Sequence, residues 1–244
     1  KMPEQQQTLT IQQAVDLAVQ HHTAGRLPEA ENIYQQILQT NPDQPVALHL
    51  LGVIAHQVGK NDTAVDLISR ALALKPDLAE AHSNLGLALQ DLGKSEDAIA
   101  SYRKALALKS NYAEAHNNLG NALQGLGKLD EAVASYHKAL ALKPDYPEAH
   151  SNLAIVLNSC GRQSEALDHF KISLDIERGD NPIDPQHKSF QLIHKAKMNH
   201  DIEQFRYLAS LGPETGHFLA LAKVYEAVDT EIEWPNDDEI VIPL

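Results

Sequence analysis

Three asparagines, Asn84, Asn118 and Asn152, stand 34 residues apart in matching settings: HSNLG, HNNLG and HSNLA. A side-chain amide carries a donor and an acceptor together, so it can pair with both polar groups of a peptide backbone whatever side chains the peptide bears. Around them lie the amides Asn117, Asn121, Gln90 and Gln124 and the carboxylates Glu80, Glu114 and Glu148. With Ala79, Ala113 and Pro147 counted as first places, these residues fall at places two, five, six, nine and twelve. Such spacings keep one side of a helix in view. Two readings stay open for the asparagines. Either they form a row of amides that holds an extended chain by its backbone, or they are structural groups bonding to neighbouring turns.

Other candidate chemistry is thinner. The chain contains no GxSxG elbow, no GxxxxGK[ST] phosphate loop, no GxGxxG, no HExxH and no HxD pair. Each of those motifs would carry a definite reaction class. Cys160 has His150 and His169 nearby in sequence, but it falls just before Gly161 in a slot that ends a helix. His21 and His22 are adjacent, so on a helix they point about 100° apart, and no third ligand follows at a suitable spacing. His82, His116 and His150 recur once per 34 residues, too far apart for one metal ion, and read as packed rings. The expectation is no catalytic residue, no metal and no cofactor.

The elements that must position the amides follow from the same period. Glycine stands at the fifteenth place of five successive repeats (Gly25, Gly59, Gly93, Gly127, Gly161) and alanine at the twentieth (Ala30, Ala64, Ala98, Ala132, Ala166). The eighth place is always small and the twenty-fourth always large (Tyr34, Ile68, Tyr102, Tyr136, Phe170). In the third repeat Asp77 and Glu80 predict an N-cap with its reciprocal acid, opening a helix over Ala79 to Leu92. Gly93 is placed as a left-handed stop, and a second helix follows over Glu96 to Leu108. Gly86 and Ala98 let the two helices approach while Tyr102 fills the space beside them. Pro42, Pro76 and Pro144 separate repeats, since proline cannot continue a helix interior. A helix pair of this size lacks a core of its own and is stabilised by stacking on its neighbours.

The period, the Leu-Gly pair, the alanine opening the second helix, the aromatic four residues later and the closing proline together resemble tetratricopeptide repeats, over five units: 11–44, 45–78, 79–112, 113–146 and 147–180. The departures are His82, His116 and His150 where an aromatic is usual, and Ser110 and Arg178 in place of the closing proline. The SNLG, NNLG and SNLA pattern is most similar to the repeats of O-linked N-acetylglucosamine transferases and SPINDLY-type proteins. That resemblance implies an asparagine ladder gripping protein substrates, carried onto Asn84, Asn118 and Asn152 alone, because Asp16 and Leu50 hold the place in the first two repeats. Family members that clamp acidic C-termini need lysines and arginines on this face, where Glu80, Glu114 and Glu148 stand instead.

The expected fold is therefore all-α: a right-handed α-solenoid of five antiparallel helix pairs with a C-terminal helical cap. Residues 1–10 read as frayed, 181–232 as the capping helices, and 233–244 as an acidic linker to a further domain. His187, Lys188, His194, Lys195, Lys197 and His200 form a basic patch within the cap. A net charge of −13 argues against nucleic acid and for a neutral or basic protein or peptide partner. The single cysteine excludes a disulfide framework. With no membrane-length apolar run, no membrane partner and a cytoplasmic location are expected. The leading function is a non-catalytic interaction module binding an extended peptide in its concave groove. The alternative is the substrate-targeting region of a larger enzyme (glycosyltransferase, hydroxylase or sulfotransferase). Self-association through the end repeats is a further expectation.

Overall fold

A computed structural model describes residues 9–178. They form α1 (Ile11–Thr23), α2 (Leu27–Thr40), α3 (Pro45–Gln57), α4 (Asn61–Leu74), α5 (Ala79–Asp91), α6 (Ser95–Leu108), α7 (Ala113–Gly125), α8 (Leu129–Leu142), α9 (Pro147–Ser159) and α10 (Gln163–Arg178). The chain divides into two compact units, Lys1–Ala122 and Leu123–Leu244. In the first, each of α1 to α6 packs on its neighbour in sequence, and α3 also reaches α5. In the second, α9 packs on both α8 and α10. This is the expected all-α architecture of successive helix pairs.

Why the chain turns where it does is visible at Gly93. Its φ of +74° lies in the left-handed region, which costs an L side chain energy that glycine does not pay. The Gly93 N–H donates to the Gln90 carbonyl at 2.9 Å and the Lys94 N–H to the Leu89 carbonyl at 2.9 Å, satisfying the last carbonyls of α5. The other four glycines of this column adopt φ between 70° and 77°.

Packing follows the small and large columns. The alanines of the twentieth place, Ala30, Ala64, Ala98, Ala132 and Ala166, have no exposed surface. A Cβ on Gly86 would come within 2.5 Å of the Tyr102 ring, and one on Gly52 within 2.6 Å of Ile68 Cγ1. Glycine is thus what lets α5 and α3 seat against the large side chain of their own partner helix. Between α1, α2 and α3 the same logic builds a continuous core from Val15, Ala18, Ala30, Tyr34, Ile37, Ala47 and Ile54.

The N-cap expected of Asp77 with Glu80 is not formed. Helix α5 begins at Ala79, so Leu78 occupies the cap position, without a side-chain bond, and Asp77 lies one residue too early. Glu80 bonds instead to Lys109. Side-chain caps occur elsewhere: Thr10 and Gln13 make a reciprocal capping box on α1, and Gln44 Oε1 accepts from the Ala47 N–H on α3. The second helix of the third repeat opens at Ser95, one residue before the expected start. The expected capping helices 181–232, the acidic segment 233–244, the basic patch, and all but Leu9 and Thr10 of the frayed segment lie outside the described residues.

Candidate functional site

In the first compact unit the amide row is partly engaged. Asn84, half-buried on α5, donates from Nδ2 to Nε2 of His49 on α3 at 2.9 Å. His49 is itself buried, and burial, opposed by the nearby Glu80 charge, brings its pKa down to about 4. It therefore stands neutral at pH 7, with Nε2 able to accept. The bond uses one amide donor of Asn84 and leaves its carbonyl for another group. Asn118 and Asn121 on α7 are half-buried, whereas Asn117 has no exposed surface and is a core amide.

Gln90 bonds inward: the Tyr102 hydroxyl donates to its Oε1 at 3.1 Å. Burial pushes the Tyr102 phenol well above its ordinary range, with the Asp91 charge acting the same way, so the hydroxyl keeps its proton and remains a donor. Asp91 accepts from His56 Nε2 at 2.8 Å, and His22 pairs with Gln57 at 2.9 Å. Leu50 and Val53 on α3 and Leu87 on α5 are half-buried at places six and nine of their repeats, giving this side an apolar component.

Glu80 is exposed but not a bare charge. Lys109 Nζ donates to it at 2.9 Å and also lies 4.7 Å above the Tyr112 ring. The Lys109 hydrogen bond holds the Glu80 carboxyl below its usual range, helped by its own backbone. Glu114 is exposed and engaged by a neighbour. The acidity expected at Glu80 is thus offset locally by a lysine that the first-helix pattern does not contain.

In the second compact unit, Gln124 Oε1 accepts from the Tyr136 hydroxyl at 2.9 Å, repeating the Gln90–Tyr102 arrangement. Asn152 on α9 is half-buried and Glu148 exposed, and each has an interaction partner. Lys143 lies 4.5 Å above Tyr146. Ser173 on α10 donates to the Pro147 carbonyl and bonds Ser151, each at 2.8 Å.

The three repeated histidines are buried as packed rings, and each also bonds through Nε2 to a carbonyl six residues earlier. His82 reaches Pro76, His116 reaches Ser110 and His150 reaches Pro144, at 2.9, 3.1 and 3.0 Å. Histidine thus supplies a ring and a donor that tie the first turn of a helix to the chain entering it. The position of Cys160 matches its reading too: it caps α9 and is exposed. Among the described residues, no three His, Cys, Asp or Glu side chains are already grouped for a metal ion.

Sequence reasoning missed His49, His56 and Lys109. The signal was present in the numbering: His22–Gln57, His49–Asn84 and His56–Asp91 are each 35 residues apart, one more than the repeat. That offset joins a place on one first helix to the next place on the following one.

Sequence-family comparison matches a TPR repeat model to residues 54–93 and 90–127, and tetratricopeptide repeat models to 113–146 and 12–36. No curated protein matches significantly. A crystal structure of MamA is 27% identical, the match covering 66% of this chain and 94% of that one with a TM-score of 0.60. A thermophilic TPR protein from Thermus thermophilus is 26% identical, covering 78% and 100%, with a TM-score of 0.59. MamA from Desulfovibrio magneticus, 20% identical over 70% and 97%, has a TM-score of 0.63 and shares the fold. No helix among the described residues is long and apolar enough to cross a membrane.

Proposed function

Because this chain carries tetratricopeptide repeats, we propose that it is a non-catalytic protein-interaction module that holds an extended segment of a partner in the groove lined by its first helices. The observation that carries the reading is Asn84. A half-buried amide fixed on one side by a neutral, buried histidine is pre-oriented, so little rotamer freedom is lost when its remaining groups meet a peptide. Asn118 and Asn152 take the same place in the next two repeats and serve as further backbone grips, as in the glycosyltransferase-like repeats that their pattern resembles. Asn121 and the remaining amide donors of Gln90 and Gln124 flank them, while Leu50, Val53 and Leu87 receive apolar side chains. Glu114 and Glu148 favour neutral or basic partners. Asn117, being buried, has no part in the contact.

The test is a phage-displayed random peptide library panned on the wild-type chain, followed by calorimetric titration of selected peptides. Replacing Asn84, Asn118 and Asn152 together by alanine should weaken binding by about ten- to a thousandfold, each net hydrogen bond contributing roughly 0.5–1.5 kcal/mol. Peptides of different sequence should weaken alike. Unchanged affinity in a folded triple variant moves the binding site off this face. The same face would serve if the chain were the targeting region of a larger enzyme, the alternative that the sequence leaves open.

A further inference from the structure

The second compact unit contains three histidine rings in one cluster, drawn from three different helices. His150 on α9 and His169 on α10 meet through their Nδ1 atoms at 2.8 Å. His137 on α8 lies edge-on to His169, with ring centroids 6.1 Å apart and planes at 64°. His150 and His169 centroids are 5.1 Å apart.

The hydrogen bonds fix where the protons are. A carbonyl oxygen only accepts, so His150 must donate to Pro144 through Nε2–H at 3.0 Å. In the neutral ring this leaves a lone pair on Nδ1, to which His169 donates its own Nδ1–H. The lone pair of His169 is then on Nε2. Burial keeps both rings below the ordinary histidine range, and for His169 the neighbouring rings add to the effect. A histidine whose Nδ1–H is anchored in this way is the arrangement that orients Nε2 toward a metal ion.

We propose that His137 and His169 form a two-nitrogen chelate for a divalent transition metal of the zinc class, with His150 as the positioning residue behind His169. Two imidazoles on one tetrahedral zinc, at Zn–N distances of about 2.0–2.1 Å, place their centroids roughly 5 Å apart. The observed 6.1 Å closes to that value by a small rotation of the exposed His137 side chain. Water fills the remaining positions, since no three protein ligands are pre-grouped among the described residues. Glu165, one turn before His169 on α10, is held by Arg162 at 2.7 and 2.6 Å, and Asp168, next to His169 in sequence, is exposed. The ion would link α8 to α10, where the rings of His137 and His169 already meet.

The adjacent pair His21–His22 lacks this arrangement. Its rings are committed elsewhere, His21 Nδ1 accepting from Arg26 and His22 bonding Gln57.

The experiment is calorimetric titration of the full chain, free of any histidine tag, with zinc chloride in a non-coordinating buffer at pH 7. Imidazole nitrogen shifts are followed by NMR in parallel. The wild type should bind zinc saturably, with the His169 Nε2 resonance moving on binding. His137→Ala and His169→Ala should each weaken that binding at least tenfold, and His150→Ala, which removes the orienting bond along with the buried ring and its bond to Pro144, by about tenfold. The double variant His21→Ala, His22→Ala should bind as the wild type does. His137 is exposed, so His137→Ala keeps the test decisive even if a His169 variant fails to fold. No saturable binding up to millimolar zinc, undiminished binding by His137→Ala, or loss of binding in the His21, His22 variant each overturns the proposal.

Discussion

Three glycines of the described chain should respond to alanine in three different ways. At Gly86 the new Cβ would lie 2.5 Å from Tyr102 Cε1 and 2.8 Å from Cδ1 and Cζ, against an ordinary carbon–carbon contact of about 3.5–4.0 Å. The ring must retreat by about 1 Å, yet Tyr102 is fully buried and tied to Gln90 at 3.1 Å. Overpacking of this kind costs about 1–3 kcal/mol, and disturbing the hydroxyl bond roughly another 1 kcal/mol. Against that, alanine in a helix interior is favoured over glycine by about 1 kcal/mol. The net is a loss of about 1–3 kcal/mol. At Gly93 nothing lies within 4 Å, so Gly93→Ala suffers only the left-handed backbone, a loss of about 1–2 kcal/mol. Gly125, at the end of α7, has open space and no positive φ, so Gly125→Ala should stabilise by roughly 0.5–1 kcal/mol. Urea unfolding followed by circular dichroism ranks the three. Gly86→Ala as stable as Gly125→Ala would refute the packing argument, since both gain helix propensity and only at Gly86 does the methyl group meet a side chain. Adding Tyr102→Leu to Gly86→Ala should recover part of the loss, because the clash is with the ring itself.

Two further predictions concern buried polar groups. The Tyr34 hydroxyl is buried with no partner, whereas those of Tyr102 and Tyr136 donate to Gln90 and Gln124, so Tyr34→Phe should be neutral or stabilising and Tyr102→Phe should cost about 1 kcal/mol in the same urea experiment. His49 has a folded-state pKa of about 4 against about 6.5 unfolded, so its contribution is fully present above pH 6.5 and is lost as pH falls from there through 4. The difference in stability between wild type and His49→Gln should shrink over that window by up to about 3 kcal/mol, and a pH-independent difference would contradict the burial of a neutral ring.

Periodicity made the helix pairs legible because their determinants are local or repeat every 34 residues. A glycine stop, a buried alanine and a large side chain opposite a small one each appear as a column, and Gly86, Ala98 and Tyr102 sit as those columns require. Capping was less legible. Asp77 has the right chemistry, but α5 begins at Ala79, which puts Leu78 at the cap and leaves Asp77 one residue outside it. The partners of the amides were hidden for a different reason. A bond from His49 to Asn84 joins different places in successive repeats, so neither column shows it alone. The cluster of His137, His150 and His169 was hidden most completely, since its members hold three different places and only two of them, His137 and His169, break the repeat.

Those hidden bonds change what an asparagine column can mean. In sequence the choice was between a ladder for a guest peptide and a set of structural amides. On the proposed reading Asn84 does both, because an amide has more hydrogen-bonding groups than one neighbour can use. His49 engages a donor and sets the plane of the amide, and the acceptor remains for a backbone N–H. If the proposed groove holds a peptide, the stability contributed by the seam and the affinity for that peptide reside in different atoms of one residue. A loss of peptide binding on replacing Asn84 therefore has to be weighed against any loss of packing between α3 and α5. Asn118 separates the two roles: it occupies the same place and is half-buried, and the preceding repeat carries Ser83 rather than a histidine at the place corresponding to His49.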